Sequence, residues 1–400
     1  MELGSRRRLA SLLALSSAML ACSAMVTGSQ RGGNASCGEL QRTASNDALH
    51  LIGVSQVGAT QGCIAREGGT VWCRGDNSSG QLGTGTLEPR GSARSLSVAD
   101  LHDIVELVSN DTTLCARTRS GEVWCWGDNR RGMIGNGHEG DVVCQSSTTT
   151  PCQPRPFRVA LDGSATRVIE TDRSVCALLQ NAQVWCWGEV RGLDSSLGGH
   201  VAQPARLSDV SDAVDLFAAG QSIAIVHENG RITSPEPLAN IQIPIGSIVR
   251  ASNLGGERYC YLTPERNVFC WGANDWSVAG NGVSSSVSLT MPVDTGLRCI
   301  VDVSVSPFHA CALASDGGVY CWGSNSGGES GVGRSSSEEC FFQGRSRPCV
   351  RRPTRVRGLG HVISIHASPL LSCALQEDFS IWCWGNLNGS DTHVPTQVVW

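Results

Sequence analysis

Apolar residues along this chain do not recur at helical spacing. They alternate with polar ones in short runs, separated by glycine and small polar residues. Over 104–163 the runs are Val105 and Leu107, then Leu114-Cys115-Ala116, then Gly121-Glu122-Val123-Trp124-Cys125-Trp126-Gly127, then Pro156-Phe157-Arg158-Val159-Ala160. Brief alternation bounded by turns predicts four antiparallel strands. The same passage recurs seven times at a period of about 50 residues. Its third run is best preserved, at 123–127, 184–188, 268–272, 319–323 and 381–385, and reads Val71-Trp72-Cys73-Arg74-Gly75 in the first copy.

A unit this small cannot bury its apolar face alone, so neighbouring copies must stack. Seven four-stranded units predict an all-β fold, a seven-bladed β-propeller over 48–400. The first copy opens with its inner strand near Leu51, and Pro395-Thr396-Gln397-Val398-Val399-Trp400 alternates like a closing strand with no blade after it. An open ring would lose one blade interface and leave sheet edges bare. The propeller is therefore expected to close by pairing of the C-terminal strand with the first blade.

Cysteine changes the picture most. Six copies hold a pair ten positions apart: Cys63 with Cys73, Cys115 with Cys125, Cys176 with Cys186, Cys260 with Cys270, Cys311 with Cys321 and Cys373 with Cys383. Pairing Cys115 with Cys125 leaves Arg119-Ser120-Gly121 as a three-residue hairpin loop with glycine at its left-handed position. Opposed residues on adjacent strands come close enough for a disulfide, so these six bridges are expected within blades. In the fourth copy Ala224 and Ser234 stand where both cysteines should be. Joint loss is what a bridge requires. That copy is also the shortest and lacks the Trp-Gly ending, so its blade is expected to be the weakest. Two insertions carry their own pairs, Cys144 with Cys152 and Cys340 with Cys349, expected as local staples on one rim of the ring. These insertions read either as stapled loops only or as a binding edge. Cys37 and Cys299 remain, either bonded to each other or free.

Nineteen cysteines, sixteen of them in such pairs, indicate an oxidising compartment. The N-terminus agrees. Arg6-Arg7-Arg8 precede an apolar run from Leu9 to Ala21 that is too short to span a bilayer. Met19-Leu20-Ala21-Cys22 resembles a bacterial lipoprotein signal, which implies a signal peptide at 1–21 and lipidation of Cys22. Ordinary cleavage near Ala24 is the alternative. Residues 22–47, rich in glycine and small polar residues, are expected to form a flexible tether. The membrane would then be met only through the lipid anchor, at the outer membrane or surface of a Gram-negative bacterium, with a periplasmic or secreted protein otherwise.

The chain carries a net charge of −5, which offers no basic footprint for nucleic acid. Arg345, Arg347, Arg351, Arg352, Arg355 and Arg357 form a local basic run, read as a solvated loop face, with an anion or partner patch as the alternative.

The repeating unit resembles that of the regulator of chromosome condensation family. Cys311-Ala312-Leu313, Asp316-Gly317, Cys321-Trp322-Gly323-Ser324-Asn325 and Gly80-Gln81-Leu82-Gly83 carry the resemblance, which runs over about 48–400. It implies a seven-bladed propeller. The family's eukaryotic founders exchange nucleotide on a small GTPase and bind chromatin, but no loop wedge for exchange is evident here. The cysteine-bridged form looks more like exported repeat proteins of Gram-negative bacteria.

No haem, phosphate-loop, zinc-protease or nucleophile-elbow motif occurs, and the cysteine spacing does not bring two close pairs together as a metal site would require. No catalytic residue, metal ligand or cofactor is assigned. His227, His309 and His366 sit at different places in their repeats and read as surface or satisfied structural groups. Asp76-Asn77, Asp128-Asn129 and Ser324-Asn325 read as turn formers. Trp124 and Trp126, Trp185 and Trp187, and Trp382 and Trp384 read as inter-blade packing rather than an aromatic platform. Two function classes survive. One is a monomeric, non-enzymatic binding scaffold of the cell envelope, gripping a protein or glycan through loops on one face. The alternative is a hydrolase or lyase with its site in the central channel. The inner strands read as small and apolar without a recurring acid, which favours the scaffold; metal in the channel, or three acids converging there, would reverse that preference.

Overall fold

The computed structural model describes Cys37 and the chain from Leu51 to Val398, except 53–61, 66, 89–90, 111, 139–142, 145–149, 191, 193–196, 198, 220, 235–241, 252–256, 335–337 and 388. The signal segment 1–21, Cys22 and nearly all of the tether 22–47 lie outside the described residues.

Seven antiparallel sheets follow one another along the chain. Their inner strands are Leu51–Ile52, Ile104–Ser109, Ala165–Glu170, Ala213–Ala219, Ile248–Ala251, Ile300–Val305 and Val362–Ser368. From each inner strand the chain meanders outward, so that sequence neighbours are sheet neighbours. The fold is a seven-bladed propeller, all-β among the described residues apart from short 3₁₀ turns such as Glu67–Gly69. Blades 2 and 6 add a fifth strand, Val143–Cys144 and Glu338–Phe342, formed by the two insertions. Blade 4 has three described strands and ends at Ile232–Thr233.

The expected closure is corrected here. The strand Ser390–Val398 pairs with Ile381–Leu387 of its own blade, and the first blade has its own outer strand, Gly91–Ser97. That strand reads G-S-A-R-S-L-S, so its apolar signal is faint and the first copy looked unfinished. The ring closes by side-chain packing instead. Ile64, with Trp72 beside it, packs against Leu371, Leu375 and Ile381 of blade 7.

Packing between blades is the core of the molecule. Each buried cluster takes residues from two consecutive blades, as when Val71, Leu82 and Val98 of blade 1 meet Leu107, Ala116 and Trp126 of blade 2. Trp126, Trp187, Trp322 and Trp384 are wholly buried in these layers. Three of them are also tied down. The indole N–H of Trp126 donates to the carbonyl of Gln81 in the preceding blade at 3.0 Å, Trp187 to Met133 at 2.7 Å and Trp322 to Val278 at 2.6 Å.

Each accepting carbonyl sits in the loop after the third strand, organised by one asparagine. Asn77 Oδ1 accepts from Leu82 N–H at 3.0 Å while its amide donates to Thr86 C=O at 3.1 Å, and Asn129 and Asn274 make the same pair of bonds in their loops. The loop comes so close to the indole that a Cβ at Gly83 would lie 2.8 Å from Trp126 Nε1. A second glycine is fixed by the strand itself. Gly127 has φ +102° at a bulge, and a Cβ there would stand 2.1 Å from the carbonyl of Thr112, the group that accepts Asp128 N–H.

Nine disulfides cross-link the described chain, as in proteins that fold under oxidising conditions. Six of them are Cys63–Cys73, Cys115–Cys125, Cys176–Cys186, Cys260–Cys270, Cys311–Cys321 and Cys373–Cys383. Each joins directly opposed residues of the second and third strands in one blade. Their Cα atoms are 4.0–4.1 Å apart. The second cysteine of each pair also faces the outer strand: Cys186 lies opposite Ala205, Cys270 opposite Val293 and Cys383 opposite Thr396. In blade 4, Ala224 lies opposite Phe217 and is buried without a sulfur partner across the hairpin. Cys144–Cys152 and Cys340–Cys349 staple the insertions of blades 2 and 6. Cys37 is bonded to Cys299, immediately before the inner strand of blade 6, across a separation of 262 residues.

Candidate functional site

Two regions collect polar groups: the inner strands and one rim. On the inner strands a single register position carries charge in four blades. Glu106 lies opposite Arg117, Arg167 opposite Leu178, Asp215 opposite Val226 and Asp302 opposite Leu313. In each case this residue follows a register shift at the start of the strand. The expectation of inner strands without a recurring acid is therefore corrected: acids recur in three of them. The signal was present as Val105-Glu106-Leu107, Val214-Asp215-Leu216 and Val301-Asp302-Val303, hidden because each acid is flanked by large apolar residues.

These acids are engaged. Glu106 pairs with Arg117 Nε at 2.7 Å and accepts the Val168 N–H of the next blade at 3.2 Å. Arg167 Nε stands 2.9 Å from Asp215 Oδ1, joining the inner strands of blades 3 and 4, and the same oxygen accepts Leu216 N–H. Burial disfavours the Arg167 charge, but Asp215, then Glu106, then Asp302 outweigh it, and the guanidinium titrates above its ordinary range. Arg167 thus pairs directly with Asp215, and Glu106 and Asp302 add to the field that keeps it charged, while the Glu106 and Asp215 contacts tie blades 2, 3 and 4 together.

The histidines belong to the same interior. His309 is fully buried, with Nδ1 2.9 Å from Ser306 Oγ and Nε2 2.7 Å from Ser372 Oγ of blade 7. Ser372 donates in turn to the carbonyl of Glu329 at 2.9 Å. Serine beside histidine is the geometry of a nucleophile and its base, but both are buried and the hydroxyl is already spent on a carbonyl. The pair is a tie between blades. Burial, helped by the nearby His366, pushes His309 down to about 3. His366 is pushed to about 4 by burial, against the pull of Asp302. His227 is held between Asp212 Oδ1 at 2.6 Å and Thr233 Oγ1 at 2.7 Å.

The rim is different in kind. Both cysteine-stapled insertions leave the ring between the third strand and the outer strand of their blades, and so from the same face. Of the basic run, Arg351 donates to Glu339 C=O at 3.0 Å and Arg355 lies 3.7 Å from Asp316. Arg345, Arg347 and Arg352 are exposed and make no ion pair among the described residues. Among those residues no cluster of three or more metal-ligating side chains occurs, and no helix is long and apolar enough to cross a membrane.

The repeat seen in this geometry, a bulged Trp-Gly followed by an asparagine-organised loop, also matches a known family. Residues 104–132 and 300–329, the first three strands and loop of blades 2 and 6, match the regulator of chromosome condensation (RCC1) repeat. Two of its seven repeats, in blades 2 and 6, are thus matched to that family's repeat. RCC1 domain-containing protein RUG3 of Arabidopsis thaliana is 23% identical over 342 residues, covering 82% of this chain; the chain spans 64% of RUG3's length. Ultraviolet-B receptor UVR8 of the same plant is 25% identical over 367 residues, which cover 83% of this chain and 76% of UVR8. The fold is that of yeast RCC1 (Prp20), solved with Kap60 bound: TM-score 0.67 at 18% identity, covering 95% of this chain and 91% of that one. In this propeller the Trp-Gly signature serves blade packing, so the resemblance resides in the scaffold.

Proposed function

We propose that this RCC1-type propeller is a non-enzymatic binding scaffold, exported to a bacterial envelope and holding a protein or glycan partner through loops on one face. The observation that carries the reading is the pair of disulfide-stapled insertions on one face of a cross-linked ring: rigid scaffolds present recognition on such loops. Yeast RCC1, which shares this fold, has been solved with Kap60 bound, a precedent for a protein partner. In this reading Cys22 is lipidated, residues 22–47 are the tether and the propeller acts as a monomer. Affinity capture from envelope extract, with and without reductant, tests it. A partner retained by the oxidised chain and lost on reduction is expected; no partner under either condition would contradict the scaffold.

A second reading, a hydrolase or lyase in the channel, is favoured by the acids Glu106, Asp215 and Asp302 at one inner-strand position. It needs one acid free to give or take a proton, whereas Glu106 and Asp215 are held by arginines and backbone N–H groups. The variants Glu106→Gln and Asp302→Asn separate the two. The scaffold reading expects partner capture to survive both.

A further inference from the structure

The outer strand of blade 5, Ser285–Asp294, is the last strand of its sheet. It runs for ten residues as S-S-V-S-L-T-M-P-V-D, with no charge before Asp294. Exposed edges are ordinarily guarded by charges, proline, bulges or a covering segment, because their unpaired backbone groups invite another strand; this one has Pro292 and two register shifts against its neighbour but no charged guard before Asp294. Here Val287 is 71% and Met291 67% exposed, and Val283 just ahead of the strand is 53% exposed.

The insertion hairpin of blade 6 leans over the start of this edge. Gly282 N–H donates to Arg351 C=O at 3.1 Å, Phe341 N–H to Ser284 Oγ at 3.4 Å, and the Phe342 ring lies 5.0 Å from that of Trp276. Arg345 is opposite Phe342 and Arg347 opposite Cys340, so both arginines share the hairpin face that rests on blade 5. The Arg352 guanidinium lies against Gly282. Residues 338–357 hold six arginines against two glutamates in a chain of net charge −5.

We propose that this composite edge takes an extended acidic segment of a protein partner. The segment adds as a strand along Ser285–Asp294, sets apolar side chains on Val287 and Met291, and gives its carboxylates to Arg345, Arg347 and Arg352. Strand addition supplies affinity through the backbone, and alternate side chains supply specificity. The chemistry of the occupant follows from the edge. A second copy of this chain would bring like-charged arginines together, and a bare polyanion would leave the valine and methionine unused. The inference rests on the scaffold reading and names its partner.

The test uses the full chain and two fluorescent peptides, Glu-Val-Glu-Leu-Glu-Val-Glu-Thr and its lysine counterpart, read by anisotropy. The acidic peptide is expected to bind and to weaken as salt rises. Its affinity should fall roughly tenfold or more in the double variant Arg345→Glu with Arg347→Glu, and in Val287→Asp with Met291→Asp, while the lysine peptide stays unbound. Equal binding of both peptides, or indifference to both double variants, would overturn the proposal. So would heparin displacing the peptide with affinity unaffected by the two aspartates on blade 5, or wild-type self-association that those aspartates abolish. Capture from envelope extract separates the two levels. A partner held by wild type and by both double variants leaves the scaffold standing and removes this edge; a partner held by none removes the scaffold.

Discussion

Trp126 and Trp271 occupy the same place in their repeats and differ in one bond. The indole of Trp126 reaches Gln81 C=O, whereas the buried Nε1 of Trp271 has no partner among the described residues. The preceding copy, in blade 4, reads Ser234-Pro235-Glu236-Pro237-Leu238 where blades 2, 5 and 6 carry Cys-Trp-Gly and the asparagine. Trp126→Phe and Trp271→Phe both lose packing, and the first should cost about 1–3 kcal/mol more than the second, by leaving a buried carbonyl unsatisfied; chemical denaturation of both variants checks this. Sequence showed that tryptophan recurs but not which copies are bonded, because the acceptor is a backbone atom of another blade.

His309 gives the pH dependence its sign. Its folded pKa of about 3 lies below the ordinary 6.5, so the folded state binds fewer protons than the unfolded chain. The stability it supports is present above pH 6.5 and is lost as pH falls toward 3, by about 1.4 kcal/mol per unit at most. Melting measured from pH 7 to pH 4 should fall more steeply for wild type than for His309→Gln. Parallel curves would show that the ring is not neutral when buried.

At the scale of the strand, the hairpins were legible because cysteine spacing, turn glycine and alternation agree. Cys115 does face Cys125, and Gly121 takes φ +90° in the loop between them. We expect non-reducing peptide mapping to return the nine pairs. Replacing Cys176 and Cys186 together by alanine should cost roughly 2–3 kcal/mol, less where the hairpin persists in the unfolded chain. Free thiols at any pair, or links between blades other than Cys37–Cys299, would contradict this. Outer strands were less legible. Gly91–Ser97 is solvated and nearly apolar-free, so alternation had little to mark, and the closing strand was misplaced as a result. The charged inner-strand position was missed for the converse reason: its polar residue sits inside an apolar run that otherwise reads as core.

Across the whole ring, cohesion is uneven. The junctions between blades 1 and 2, 2 and 3, and 5 and 6 carry a tryptophan bond to the preceding loop. At the closing junction Arg74 replaces the tryptophan, and the contact rests on Ile64 and Trp72 against blade 7. Blade 4 has neither the cysteine pair nor a fourth described strand. Native-state hydrogen exchange should find least protection in blade 4 and at the closing junction, and Ile64→Ala should cost about 2–4 kcal/mol while opening blades 1 and 7 first. Uniform protection would mean that the tryptophan bonds do not set local stability.

The proposed scaffold holds its partner at the rim, rather than in the channel or on the opposite face. Photo-cross-linking of the full chain in envelope extract tests that directly, with benzoylphenylalanine placed in turn at Val287 on the blade 5 edge, at Ser304 on an inner strand and at Ser120 on the opposite face. Adducts to one protein from position 287 alone are predicted. Adducts from position 304 or 120, with none from 287, would contradict the account.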